Sequence, residues 1–96
     1  MTVTRERIIE EFETIIDPEI GIDIWTLGLI YDFTVESGKK IVVTMTYTTP
    51  LCPYGPALNM EVTDAMRSLG FSAVDIQLTF DPAWKPPVNL REMMGV

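Results

Sequence analysis

Hydrophobic positions along the chain follow two spacings, and the switches between them mark the elements. Near the start, Ile8, Phe12, Ile15 and Ile16 fall at i, i+4, i+7 and i+8, the single apolar stripe of a helix. Glu6, Glu10, Glu11 and Glu13 supply its wet side. The Asp17-Pro18 step closes it, because a residue before proline is pushed out of helical backbone. The predicted first helix therefore covers residues 4–16. Residues 17–28 show neither period, yet Ile20, Ile22, Ile24 and Leu27 make them unusually apolar for a connection. This loop is expected to fold back on the core, with Gly21 and Gly28 at special backbone angles.

Strict alternation follows. Over residues 29–36, Leu29, Tyr31, Phe33 and Val35 point one way and Asp32, Thr34 and Glu36 the other, a half-buried strand. Ser37-Gly38-Lys39-Lys40 is a turn, and residues 41–48 alternate again through Ile41, Val43, Met45 and Tyr47. The two runs form a β-hairpin. Thr49 to Pro56 is a proline-rich loop opening a second helix, whose stripe is Leu58, Val62, Ala65, Met66 and Leu69 and whose stop is Gly70. Residues 73–80 alternate as a third strand, with Val74, Ile76, Leu78 and Phe80 inward. Beyond Asp81–Pro87, the run Leu90–Met94 reads as one helical turn.

The order is α-β-β-α-β. Each strand has one clean apolar face, which implies helices on one side of the sheet only. The expected fold is an α/β (α+β) two-layer sandwich, a small mixed sheet covered on one face by helices, with a right-handed β-α-β crossover. Exposed edges on so small a sheet point to pairing with another subunit.

Composition narrows the chemistry. Ninety-six residues make one domain, 1–96, and the chain has 7 Lys+Arg against 14 Asp+Glu, a formal charge of −7. That acidity argues against nucleic acid, whose phosphates demand basic clusters. No stretch approaches the roughly 20 apolar residues of a membrane span, and the charged start after Met1 is unlike a signal peptide. Cysteine occurs once and histidine not at all. No intramolecular disulfide, Cys/His zinc site, Ser-His-Asp triad or Cys-His dyad can be built inside one chain. A lone thiol and no export signal indicate a reducing cytoplasm.

Cys52 is then the first candidate for chemistry. If the second helix starts at Pro53, Cys52 is its N-cap and the dipole lowers its pKa; if it starts at Pro56, the thiol lies several residues outside and gains less. The bland reading, a small buried hydrophobe, weighs about as much on spacing alone. Thr48 and Thr49 place hydroxyls near the thiol, and Pro50, Pro53 and Pro56 stiffen the loop. Asp17 and Glu19 flank Pro18 as hard ligands or hydrogen-bond acceptors, against a more ordinary reading as a helix-ending turn with a solvated carboxylate. Trp84 is a candidate partner contact, against an indole packed on the core end, and Trp25 is judged the same way. Met60, Met66, Met93 and Met94 read as core filling or tail packing.

Three segments in order carry a resemblance: Asp17-Pro18-Glu19-Ile20-Gly21-Ile22-Asp23-Ile24 with Leu27-Gly28-Leu29-Ile30-Tyr31; Thr46 with Thr48-Thr49-Pro50-Leu51-Cys52-Pro53; and Leu78-Thr79-Phe80-Asp81-Pro82-Ala83-Trp84. Together they resemble the metal–sulfur cluster assembly family, the SufT-like and PaaD-like domain. The resemblance implies a cytoplasmic accessory factor for maturing iron–sulfur proteins, with the fold of the C-terminal domain of NifU-like scaffolds. It puts the family's cysteine on Cys52, its acidic loop on Asp17 and Glu19, and its threonine-rich strand end on Thr48 and Thr49. Tyr54-Gly55-Pro56 departs from the usual helix entry.

The leading expectation is a non-enzymatic carrier or adaptor. An iron–sulfur cluster usually takes four thiolates, so a cluster handled by this chain would be transient or shared, with Cys52 donated from each copy of a homodimer and the shell completed by carboxylates, a small thiol, a scaffold or a client apoprotein. The rivals are a thiol-dependent enzyme, weakened by the missing imidazole base, a protein-interaction module without a cluster, and a KH-like nucleic-acid module, weakened by charge and by the lack of a basic Gly-x-x-Gly loop.

Overall fold

The structure is a computed structural model and describes residues 3–37, 39–49, 51 and 53–85. Helix α1 spans Arg5–Phe12, strand β1 Ile30–Glu36, β2 Lys40–Met45, α2 Gly55–Ser68 and β3 Ala73–Leu78. The expected α-β-β-α-β order holds. The sheet runs β1-β2-β3 with β2 in the middle. β1 and β2 are antiparallel, the predicted hairpin, and β2 and β3 are parallel, as a helical crossover through α2 requires. The run expected as a helical turn at Leu90–Met94 lies outside the described residues.

The core lies between the sheet and the helices. β2 sends Ile41, Val43 and Met45 into it, α1 gives Ile8 and Phe12, and α2 gives Leu58, Val62 and Met66. The loop between α1 and β1 closes the layer with Ile24 and Leu27, both fully buried. Ile20 and Ile22 pack against the same cluster, as the apolar pattern predicts. Gly21 and Gly28 take positive φ, 78° and 76°. Trp25 stacks on Phe12 with ring centroids 6.1 Å apart, and Phe33 meets both rings edge-on. The stop after α2 is built as its sequence requires. Gly70 takes φ 108°, its N–H bonds to the Arg67 carbonyl, and the N–H of buried Phe71 bonds to that of Met66.

Four expectations are corrected. α1 ends at Phe12, not Ile16. The N–H groups of Thr14 and Ile15 turn back to Glu11 and Phe12 in tighter i−3 bonds, and Ile16 bridges to Asp23. Ile16 consequently leaves the apolar stripe and stands 48% exposed. β1 does not alternate cleanly, since a bulge between Ile30 and Asp32 buries both Leu29 and Ile30. β2 and β3 stop at Met45 and Leu78, earlier than expected. Leu78 and Phe80, predicted inward, are 43% and 38% exposed because they lie at and past the end of β3. Met60 is exposed as well: the buried stripe of α2 is Leu58, Val62 and Met66, and Met60 sits on the other side of the helix.

Candidate functional site

The connection from β2 to α2 is organised around Tyr47. The Thr46 N–H still bonds toward β1, to the Leu29 carbonyl at 2.9 Å, after which the chain leaves the sheet. The Thr46 side chain is fully buried. Tyr47 is buried too, and its hydroxyl donates to Oδ1 of Asn59 on α2 at 3.0 Å. Its ring lies on the backbone of Gly55: a Cβ there would stand 2.5 Å from Cε2 and 2.7 Å from Cζ. Phe80, beyond β3, meets the ring edge-on at 6.1 Å. One tyrosine therefore ties the end of β2, the first turn of α2 and the segment after β3 together. Gly55 is needed because no larger residue leaves room for that ring.

Thr48 and Thr49 are half-buried, and Thr49 Oγ1 accepts the Leu51 N–H at 3.3 Å. Leu51 and Tyr54 are exposed. Cys52 and Pro50 lie outside the described residues. The start of α2 nevertheless decides between the two sequence alternatives. The helix begins at Gly55 with Tyr54 as N-cap, so Cys52 stands two positions before the cap rather than on it. Tyr54 gives no side-chain cap, Pro56 sits in the first turn, and no acidic residue occupies that turn. The N–H groups there are answered neither by a cap nor by a carboxylate of that turn, which leaves the positive end of the dipole toward the loop.

Asp17 is 1% exposed. Its Oδ1 accepts the N–H groups of Glu19 at 2.8 Å and Ile20 at 3.3 Å. Its own N–H bonds to the Ile22 carbonyl, and its carbonyl accepts the Gly21 N–H at 2.7 Å. The carboxylate is thus buried inside a turn it builds, not solvated, and the helix has ended before it. Glu19 is exposed on the same turn. Among the described residues no hydrogen bond or ion pair joins Asp17 or Glu19 to Thr48 or Thr49, and no three of the His, Cys, Asp and Glu side chains gather as a metal site.

Trp84 is half-buried against the core, and its indole N–H donates to the Leu27 carbonyl at 2.7 Å. The Tyr31 hydroxyl donates to the Pro82 carbonyl at 2.8 Å. These bonds bring the segment after β3 back to the start of β1. The rest of the indole stays accessible to solvent. Sequence reasoning passed over Tyr47 and Asn59, which read as strand end and helix surface. The one available signal was Gly55, a glycine where a helix begins. No helix among the described residues is long and apolar enough to cross a membrane.

Comparison with known proteins agrees across nearly the whole chain. Residues 5–78 match the iron–sulfur cluster assembly protein family. An Fe-S protein maturation auxiliary factor from Porphyromonas gingivalis is 37% identical over 92 residues, covering 95% of this chain and 88% of that protein. The Fe-S protein maturation auxiliary factor SufT of Staphylococcus aureus is 38% identical over 82 residues, 84% of this chain and 88% of that protein. Among solved structures, a conserved hypothetical protein from Thermotoga maritima superposes with a TM-score of 0.85 at 36% identity, covering 99% of this chain and 97% of that one.

Proposed function

The chain belongs to the iron–sulfur cluster assembly protein family, and we propose that within it the chain is a non-enzymatic, cytoplasmic accessory factor for maturing iron–sulfur proteins. The observation that carries this is the near full-length likeness to proteins named Fe-S protein maturation auxiliary factors. Its working group is Cys52. With one cysteine and no histidine, a chain cannot fill the usual four-thiolate shell of a cluster. A cluster is therefore cargo held jointly: Cys52 supplies one ligand, and a second copy, a scaffold or a client apoprotein supplies the rest. Incomplete ligation suits release. Because α2 starts at Gly55, its dipole contributes less at Cys52 than it would at an N-cap position. In this reading Thr48 and Thr49 flank the loop that carries Cys52, Asp17 holds its own turn together, Glu19 offers an exposed carboxylate, and Trp84 adds partner contact.

Anaerobic reconstitution with iron and sulfide tests the carrier step. Wild type should develop the visible absorption of thiolate-bound iron and Cys52→Ala should stay colourless. A wild type as colourless as the variant removes the carrier step and leaves an adaptor that docks through the same loop. Failure of the wild type to bind purified assembly scaffold or apo-client protein removes the accessory role itself.

A further inference from the structure

The two edges of the sheet are built differently. β1 carries a bulge between Ile30 and Asp32, and Asp32 and Glu36 stand exposed along it. Bulges and charges are the usual means of blunting an edge. β3 has no bulge and a single charge, Asp75: Ala73–Leu78 pairs with Lys40–Met45 without a register shift.

The hydrogen bonds of β3 fix which way its backbone faces. The Ala73 N–H bonds to the Lys39 carbonyl at 3.2 Å and the Thr79 N–H to the Met45 carbonyl at 2.9 Å. Backbone direction alternates along a strand, so Ala73, Asp75, Gln77 and Thr79 turn their N–H and C=O toward β2. Val74, Ile76 and Leu78 turn theirs to the outer edge. In the parallel register these same residues stand beside Ile41, Val43 and Met45, so their side chains lie on the helix-covered face, where Leu78 is still 43% exposed. Asp75 and Gln77 lie on the open face, and Gln77 Nε2 reaches Asp75 Oδ2 at 3.5 Å.

We propose that this edge is a self-pairing surface, at which two copies of the chain join β3 to β3 antiparallel about a two-fold axis through Ile76. A parallel pairing cannot close on itself, whereas an antiparallel one does. Only registers that place outward-facing residues opposite one another form bonds. Setting Val74 against Ile76 would bring Asp75 directly opposite its own copy, a like-charge pair that destabilises a sheet. Setting Ile76 against Leu78 would run the pairing past the end of β3 and leave Val74 without a strand partner. Centring on Ile76 sets Val74 against Leu78 and extends the apolar row across the axis. On the open face it sets each Asp75 against the other copy's Gln77, so the amide already directed at one carboxylate faces a second. The sequence of β3 is complementary to itself in this register alone.

This sharpens the homodimer within the proposed function and uses none of its iron chemistry, so the two fail separately. The test is sedimentation across a concentration series to millimolar protein, with amide hydrogen exchange at both ends of the series. The wild type should pass from monomer to dimer, and the amides of Val74, Ile76 and Leu78 should gain protection only in the dimer. Those of Asp75 and Gln77 should be protected throughout. Gln77→Asp, on the exposed open face, should weaken association roughly ten-fold, because two like-charge pairs appear per dimer. Gln77→Lys should strengthen it by a similar factor. A chain monomeric at millimolar concentration, a dimer whose Val74, Ile76 and Leu78 amides stay unprotected, or an edge protected only by an added extended peptide would each overturn the proposal.

Discussion

Asp17 shows how a side chain of ligand type can be committed to backbone. Two N–H groups of its own turn end on one carboxylate oxygen in a buried setting. Removing the acceptor strands both donors, so Asp17→Ala should cost about 1–3 kcal/mol in urea unfolding. Asp17→Asn keeps an acceptor at the same place and should cost clearly less. Equal effects of the two would mean that charge, not the turn bonds, matters there. Gly55 and Tyr47 make the second case. An added methyl at Gly55 must displace the Tyr47 ring, and with it the bond to Asn59 and the contact with Phe80. Gly55→Ala should lose about 1–3 kcal/mol by overpacking. Combined with Tyr47→Ala it should cost less than the sum of the two changes, since the ring it clashes with is gone, with a coupling of about 0.5–3 kcal/mol. Additivity would show that the ring and the helix start do not depend on each other.

At the scale of elements, α1 is short, eight residues, and begins at a Thr4 cap whose hydroxyl accepts the Arg7 N–H at 3.2 Å. A helix this short has little stability of its own, so Thr4→Ala should remove about 1 kcal/mol, read in thermal unfolding. The same shortness explains what the pattern misjudged. Periodicity placed Ile8, Phe12 and Ile15 inward correctly, but it carried the helix through Ile16 because it cannot see the bridge from Ile16 to Asp23 that takes the backbone elsewhere. The existence and order of the five described elements and the hairpin pairing were legible, because burial on one face enforces each period. Their ends were not, because ends are set by contacts distant in sequence, such as Trp84 on the Leu27 carbonyl and Tyr47 on Asn59. The site divided in the same way. Cys52 was singled out by scarcity of alternatives. Tyr47, which organises the connection it belongs to, looked like any inward tyrosine at the end of a strand.

For the molecule as a whole, the formal charge of −7 sets the long-range forces. The ion pairs among the described residues, Arg7–Glu11 and Lys40–Glu36, are local i,i+4 pairs at the surface and do little to offset that field. Two copies approaching through β3 bring apolar side chains and Asp–Gln pairs together against net repulsion. Added salt screens that repulsion, so self-association should strengthen several-fold between about 0.02 M and 0.3 M salt, where the screening length falls from roughly 20 Å to under 10 Å. Docking onto a basic scaffold or client is attracted by the same field and should weaken over the same range. Sedimentation of the chain alone, beside titration against a purified partner, therefore separates the two modes by the sign of their salt dependence. Self-association that weakens with salt would require opposite charges across the interface. The β3 register supplies none, so that result would place the dimer elsewhere on the chain.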